Sequence, residues 1–232
     1  MLDAWNIHYR YPKSERESVS GVSLHVRHGE TVGIFGPSGC GKSTFARLLA
    51  GFLVPDSGRV TLGGDPLPQK GRLSVQLLFQ HPELTVNPRW RAGKILAEGG
   101  DPLPEILDAL GILPSWHRRY PHELSGGEIQ RLAIARALHP GTQFLIADEM
   151  SAMIDAITQA ALWHAVKNHQ ERHQMGLVVI SHDLGLLSKL CDRIIDFPEG
   201  VALACCDEGA DYGGRREGCE SVPSVARVAK PL

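Results

Sequence analysis

The chain has 232 residues, of which 22% are charged and 43% hydrophobic, and a formal net charge of -2. This is the balance of an ordinary soluble globular protein of one or two domains, and it excludes the basic footprint of a nucleic-acid binder. Five cysteines without C-x-x-C spacing make neither a disulfide framework nor, at Cys205, Cys206 and Cys219, a metal site. No apolar run reaches the roughly 18 residues that span a bilayer, and the N-terminus lacks the basic-then-apolar order of a signal peptide, so a cytosolic protein is expected.

Residues 4 to 11 alternate, with Trp5, Ile7, Tyr9 and Tyr11 against Asn6, His8 and Arg10, which predicts a half-buried strand. Val22, Leu24 and Val26 repeat the pattern, and Val60 and Leu62 belong to a third strand after the turn at 55–58. Together they predict a small antiparallel sheet. The apolar run 31–35 predicts a buried strand. It leads into Gly36, Pro37, Ser38, Gly39, Cys40, Gly41, Lys42, Ser43 and Thr44, which match G-x-x-x-x-G-K-[ST]. Glycines let backbone N–H groups converge on phosphate oxygens. The helix expected from about Lys42 to Gly51 points its positive end at them. Lys42 is placed for the β- and γ-phosphates and Ser43 for Mg²⁺. A nucleoside triphosphate is therefore the expected ligand.

A short strand over Leu77, Leu78 and Phe79 ends at Gln80, a polar residue suited to Mg²⁺, to the attacking water or simply to a loop. From 82 to 121 prolines punctuate helical spacing at Ile95, Leu96, Ile106, Leu107 and Leu110, which predicts a helical insert. The short basic clusters Arg89/Arg91 and 117–119 read as solvated surface. Ser125 and Glu128 form an S-x-x-E capping box with Gly126 and Gly127 in the first helical turn. Two glycines at a capped helix start form a second anion site.

Phe144 to Ala147 is a continuous apolar run that puts Asp148 and Glu149 at the end of a central parallel strand, where ligands of such sheets sit. Asp148 suits Mg²⁺, directly or through water, and Glu149 suits polarisation of a water. A helix is expected over 156–173 and a second central strand over 177–180. His182 follows it, within reach of the γ-phosphate or the water. After residue 197 apolar periodicity fades, and 198–232 is expected to be a poorly ordered tail.

With these motifs in this order, the chain resembles the ATP-binding subunits of ABC transporters over about residues 3 to 197. Residues 36–44 correspond to the Walker A motif, Gln80 to the Q-loop, and 124–128 to the family signature. Residues 144–149 correspond to Walker B with its catalytic glutamate, 151–155 to the D-loop with Asp155 in its acidic place, and His182 to the switch histidine. Tyr11 fits the aromatic that stacks on adenine, with Tyr9 the other candidate. The resemblance implies an α/β fold: a P-loop NTPase (RecA-like) core with a parallel sheet, a small antiparallel β subdomain, and a helical subdomain inserted at about 81–123. One ATPase domain would occupy 1–197.

The resemblance also implies ATP and Mg²⁺, and a second ATP-binding subunit, the same or related, facing this one head to tail. Ser125, Gly126 and Gly127 would then meet the partner's nucleotide. Transmembrane permease subunits and an extracytoplasmic substrate-binding protein complete the implied complex, at the cytoplasmic face of the membrane. Gln80-His81-Pro82 followed by Val86-Asn87-Pro88-Arg89 looks like the peptide and nickel uptake group, though the tail lacks that group's cysteine pattern. A soluble ABC-type ATPase acting on nucleic acid or ribosomes is the alternative. It is opposed by the single core, the short insert and the absence of heptads. No N-K-x-D guanine-reading motif is present.

Overall fold

The computed structural model describes residues 1–68, 73–150 and 156–197. In chain order these carry β1 (Leu2–Tyr9), β2 (Val19–Val26), β3 (Thr31–Phe35), α1 (Lys42–Leu49), β4 (Ser57–Leu62), β5 (Asp65–Pro66) and β6 (Val75–Leu78). There follow α2 (Ala92–Leu96), α3 (Pro104–Ala109), α4 (Gly126–Ala137), β7 (Phe144–Asp148), α5 (Ala156–His173), β8 (Gly176–Ile180), α6 (Leu184–Leu190) and β9 (Arg193–Asp196).

Two sheets form, one antiparallel in the order β2-β1-β4-β5 and one parallel in the order β6-β7-β8-β3-β9. The parallel strands are buried on both faces because successive side chains point to opposite sides. Phe144, Ile146, Val178, Ile180, Val32 and Ile34 pack with α1 and the antiparallel sheet. Leu145, Ala147, Leu177 and Val179 pack with α4, α5, α6 and the insert. The central sheet is thus the middle layer between two cores.

The alternation expected for β1 breaks at Asn6. Leu2 and Ala4 are buried, then Ile7 and Tyr9, while Trp5 is 65% exposed. The register with β2 shifts between Ala4 and Ile7, and Asn6 has φ 47°. A bulge adds one residue and moves every later side chain to the other face. Strand β1 ends at Tyr9, so Tyr11 lies beyond it rather than within its buried row.

The insert forms short pieces. Helices α2 and α3 have 5 and 6 residues, separated by 3₁₀ turns at Pro82–Leu84, Ala97–Gly99, Pro114–Arg118 and Pro121–Glu123. Proline opens three of those turns, where its fixed φ is tolerated and its missing N–H costs nothing. Ile95, Leu96, Ile106, Leu110, Ile112 and Trp116 bind the pieces to Leu132 and the main core.

Candidate nucleotide-binding site

The sheet order β6-β7-β8-β3 sets four carboxyl-end features side by side: Gln80 after β6, Asp148 and Glu149 at the end of β7, His182 after β8, and the glycine loop after β3. Gly41 has φ 104°, and a Cβ there would sit 2.0 Å from the Ser18 carbonyl oxygen. At Gly36 a Cβ would sit 2.5 Å from the Phe197 carbonyl oxygen. The loop is wedged between two backbone segments that leave no space for side chains at either position. Lys42 is 6% exposed, and its ammonium donates to the carbonyls of Gly36 and Pro37, both at 2.7 Å. These contacts hold the charge at the loop until a better acceptor competes for its donors. No acidic residue lies in the first turn of α1, so the positive helix end is left for an anion.

Asp148 is 6% exposed. Burial raises its carboxyl above the ordinary carboxylate range, the neighbouring Glu149 charge adds to this, and a hydrogen bond from Ser43 with the charges of Arg47 and Lys42 oppose it. Its Oδ1 is buried without a hydrogen-bond partner. A buried, unsatisfied carboxylate oxygen beside a hydroxyl is costly unless a cation uses it. The donor set, hard oxygens only, fits Mg²⁺.

Glu149 turns the chain sharply at the strand end, with φ 50° and its N–H donating to the Ile180 carbonyl at 3.0 Å. Its carboxylate meets both neighbours: Gln80 Nε2 donates to Oε2 at 3.1 Å, and His182 Nδ1 lies 3.3 Å from Oε1. The glutamate side chain is 17% exposed and the histidine 65%. The three residues named from sequence as catalytic candidates therefore form one cluster. Gln80, also a candidate for Mg²⁺, points its amide at the glutamate.

Tyr9 is 9% exposed and Tyr11 is half-buried, their rings edge-on at 5.0 Å between centroids. Tyr11 is thus the ring with surface left for a ligand. Its hydroxyl accepts from Arg47 Nη1 at 3.3 Å and lies 3.4 Å from Thr44 Oγ1. Sequence reasoning did not single out Arg47; its place three residues after the loop's last position, Thr44, one helical turn on, was the available signal. An open cleft of about 710 Å³ flanks Tyr11 and includes Arg10, Lys13, Glu17 and Asp56 but no glycine-loop residue. Lys42 and Asp148 are instead buried at the loop, away from that cleft.

The second glycine pair is built as a helix start. Ser125 Oγ accepts from the Glu128 N–H at 3.3 Å, and Glu128 Oε2 accepts from the Ser125 N–H at 2.7 Å. That backbone hydrogen bond is the main reason the Glu128 carboxyl lies below its ordinary value. A Cβ added at Gly126 or Gly127 would meet nothing within 4 Å, so packing inside the subunit does not demand glycine there. Ser38, Gly39 and Cys40 complete the first loop, with Cys40 Sγ 3.8 Å from the Lys42 ammonium. Asp155, the tail 198–232 and its Cys205, Cys206 and Cys219 lie outside the described residues.

Fold and site together define a phosphate-loop nucleotide-binding domain with a second, Ser125-capped helix start that opens on two glycines. The profile of the family described as ABC transporter matches residues 19–152. The chain is 36% identical over 212 residues to the oligopeptide transport ATP-binding protein OppF of Salmonella typhimurium, which covers 83% of this chain and 64% of that protein. It is 35% identical over 201 residues to the nickel import ATP-binding protein NikE of Rhodospirillum rubrum, covering 78% and 73%. A solved dimeric ATP-binding cassette in a post-hydrolysis state, bound to ADP and Pi, superposes with a TM-score of 0.76 at 25% identity, covering 87% of this chain and 96% of that one. The chain belongs to the ABC transporter family, and it spans 64% of the length of that OppF relative.

Proposed function

We propose that the chain is the ATP-binding and ATP-hydrolysing subunit of an ABC transporter, energising import of peptides, nickel or a metal chelate through membrane permease subunits. The observation that carries it is the Gln80–Glu149–His182 cluster in line with the glycine loop. The peptide and nickel import named for the relatives supports the cargo class. A homodimer or a pair with a related ATPase, permeases and an extracytoplasmic substrate-binding protein complete the complex at the cytoplasmic membrane face, where this subunit is peripheral.

ATP is the substrate, with Tyr11 against the base and residues 36–44 around the phosphates. Ser43 and Asp148 would hold Mg²⁺, which supplies charge neutralisation on the phosphates when bound. Glu149 takes the proton of the water whose oxygen bonds the γ-phosphorus while the β–γ bridging bond breaks, giving ADP and phosphate. Each Glu149 oxygen has one contact in the cluster and keeps a second lone pair for the water. His182 then stands beside the γ-phosphate. Ser125, Gly126 and Gly127 of the facing subunit close over that phosphate, and the family resemblance assigns Asp155 to the same nucleotide. The exposed start of the insert, with Leu84 80% exposed, faces the permease.

Glu149→Gln tests the assignment. ATP binding by equilibrium titration should persist while turnover falls by about 10²–10⁴-fold, the usual contribution of general-base catalysis. Turnover near wild type would remove Glu149 from this role.

A further inference from the structure

We propose that Arg47 is a positioning residue for the nucleotide base: it fixes the Tyr11 ring to the phosphate-loop helix, so that ring and phosphates are presented as one rigid unit. The proposal rests on Tyr11 being the base-stacking ring.

Tyr11 stands on the connection between β1 and β2, beyond the bulged strand, where the chain has no sheet partner to orient it. The backbone there is tied down locally. Ser14 N–H donates to the Tyr11 carbonyl at 3.0 Å, Ser18 N–H to the Tyr9 carbonyl at 2.8 Å, and Arg10 N–H to Asp56 Oδ2 at 2.8 Å. None of those bonds sets the ring angle. Two side chains on α1 do, one turn apart. Arg47 Nη1 donates to the phenol oxygen at 3.3 Å, and Thr44 Oγ1 lies 3.4 Å from it. The phenol oxygen accepts from the guanidinium, and either hydroxyl can donate in its contact with Thr44. Thr44 is itself the last loop residue.

The anchor is fixed at its own base. The Arg47 carbonyl accepts from the Phe52 N–H at 2.8 Å and the Leu53 N–H at 3.3 Å. A guanidinium presents its donors in a rigid fork, so the tether is directional. Lys has a single flexible ammonium and would serve only in part. Arg47 also contributes positive charge at Asp148. Its loss therefore disturbs the cation end too, and the test must separate the two effects.

Inorganic tripolyphosphate has the phosphates without the base. With the full chain and Mg²⁺ present, affinities for ATP and tripolyphosphate are measured for wild type, Arg47→Met, Arg47→Lys, Tyr11→Phe and the Arg47→Met/Tyr11→Phe double variant. Arg47→Met should weaken ATP about five- to tenfold, a loss of part of the base–aromatic stacking, and tripolyphosphate by less than about twofold. The KM for ATP should rise with it while kcat at saturation holds, and Arg47→Lys should recover part of the loss. Tyr11→Phe keeps the ring and removes the acceptor, so it should weaken ATP in the same direction. The double variant should be no worse than Arg47→Met, because one tether is removed twice. Equal weakening of both ligands, or additive losses, would overturn the tether. Wild type binding ATP no more tightly than tripolyphosphate would overturn the Tyr11 assignment, and the tether with it.

Discussion

Asp148 is a charge that the fold holds where ionisation is unfavourable. Burial raises its folded pKa above the unfolded value. The folded chain therefore keeps its proton to higher pH than the unfolded chain does. Ionised Asp148 destabilises the ligand-free protein at neutral pH, and the penalty fades as pH falls through the raised folded pKa. Asp148→Asn should accordingly raise the ligand-free Tm at pH 7 by about 2–4 °C for each ~1 kcal/mol relieved. It should also abolish the further rise that MgCl₂ with ATP gives the wild type. Calorimetry with and without Mg²⁺ checks both halves. His169 on α5 works in the opposite sense. It is 3% exposed, and burial first, then the nearby His173 charge, lower its pKa from 6.5 to about 4, with Arg172 and His139 adding to this and Glu105 opposing it. Below pH 6.5 the unfolded chain binds a proton that the folded chain refuses. Stability from this group is complete above the unfolded pKa and is lost between 6.5 and about 4, on the order of 3 kcal/mol in all. A Tm–pH profile of His169→Gln should be flatter over that window than the wild-type profile.

The start of α4 combines two jobs that a single substitution separates. Ser125 caps the helix through its Oγ, and Asp caps as well as Ser. Ser125→Asp should thus keep the Tm within about 1 °C, as befits a change inside ±0.5 kcal/mol, yet eliminate ATP turnover by placing a carboxylate at the phosphate site; a thermal melt beside a turnover assay reads both. This cap was legible in sequence because S-x-x-E is a local pattern, and so were β3, β7 and β8, whose continuous apolar runs have no other use in a chain of this composition. The bounds of α5, expected over 156–173, match the helix found. What escaped was non-local. Helix α6 has 7 residues and β9 has 4, and Ile194 and Ile195 alone are too short a signal for a strand. Strand β9 exists because β3 offers a paired edge. The bulge at Asn6 was invisible because alternation counts residues and cannot see an extra one. The site candidates were each readable as motifs, but their junction was not: Gln80 and Glu149 are 69 residues apart, and His182 and Glu149 are 33 apart. Only the strand order brings them into contact.

At the scale of the whole molecule, the subunit carries a phosphate loop and a Ser125-capped helix start whose first two residues, Gly126 and Gly127, face open space. Under the proposed head-to-tail pairing, each ATP lies between the loop of one subunit and the capped helix of the other, and a two-fold axis makes two such sites. This arrangement has a consequence that a self-contained site lacks. Lys42→Ala removes the loop ammonium but leaves the signature helix intact. Ser125→Arg blocks the signature but leaves the loop intact. Each variant alone forms dimers with no complete site, so each should be inactive. Mixed in equal amounts, half the dimers contain one of each. In those the intact loop of the Ser125→Arg subunit faces the intact signature of the Lys42→Ala subunit, giving one good site of two. ATP turnover in the mixture should recover to about a quarter of wild type if the sites act independently and the chain pairs with itself. If loop and signature of the same chain served the same ATP, mixing would restore nothing. A phosphate-release assay on the two purified variants, separately and combined, decides between these outcomes.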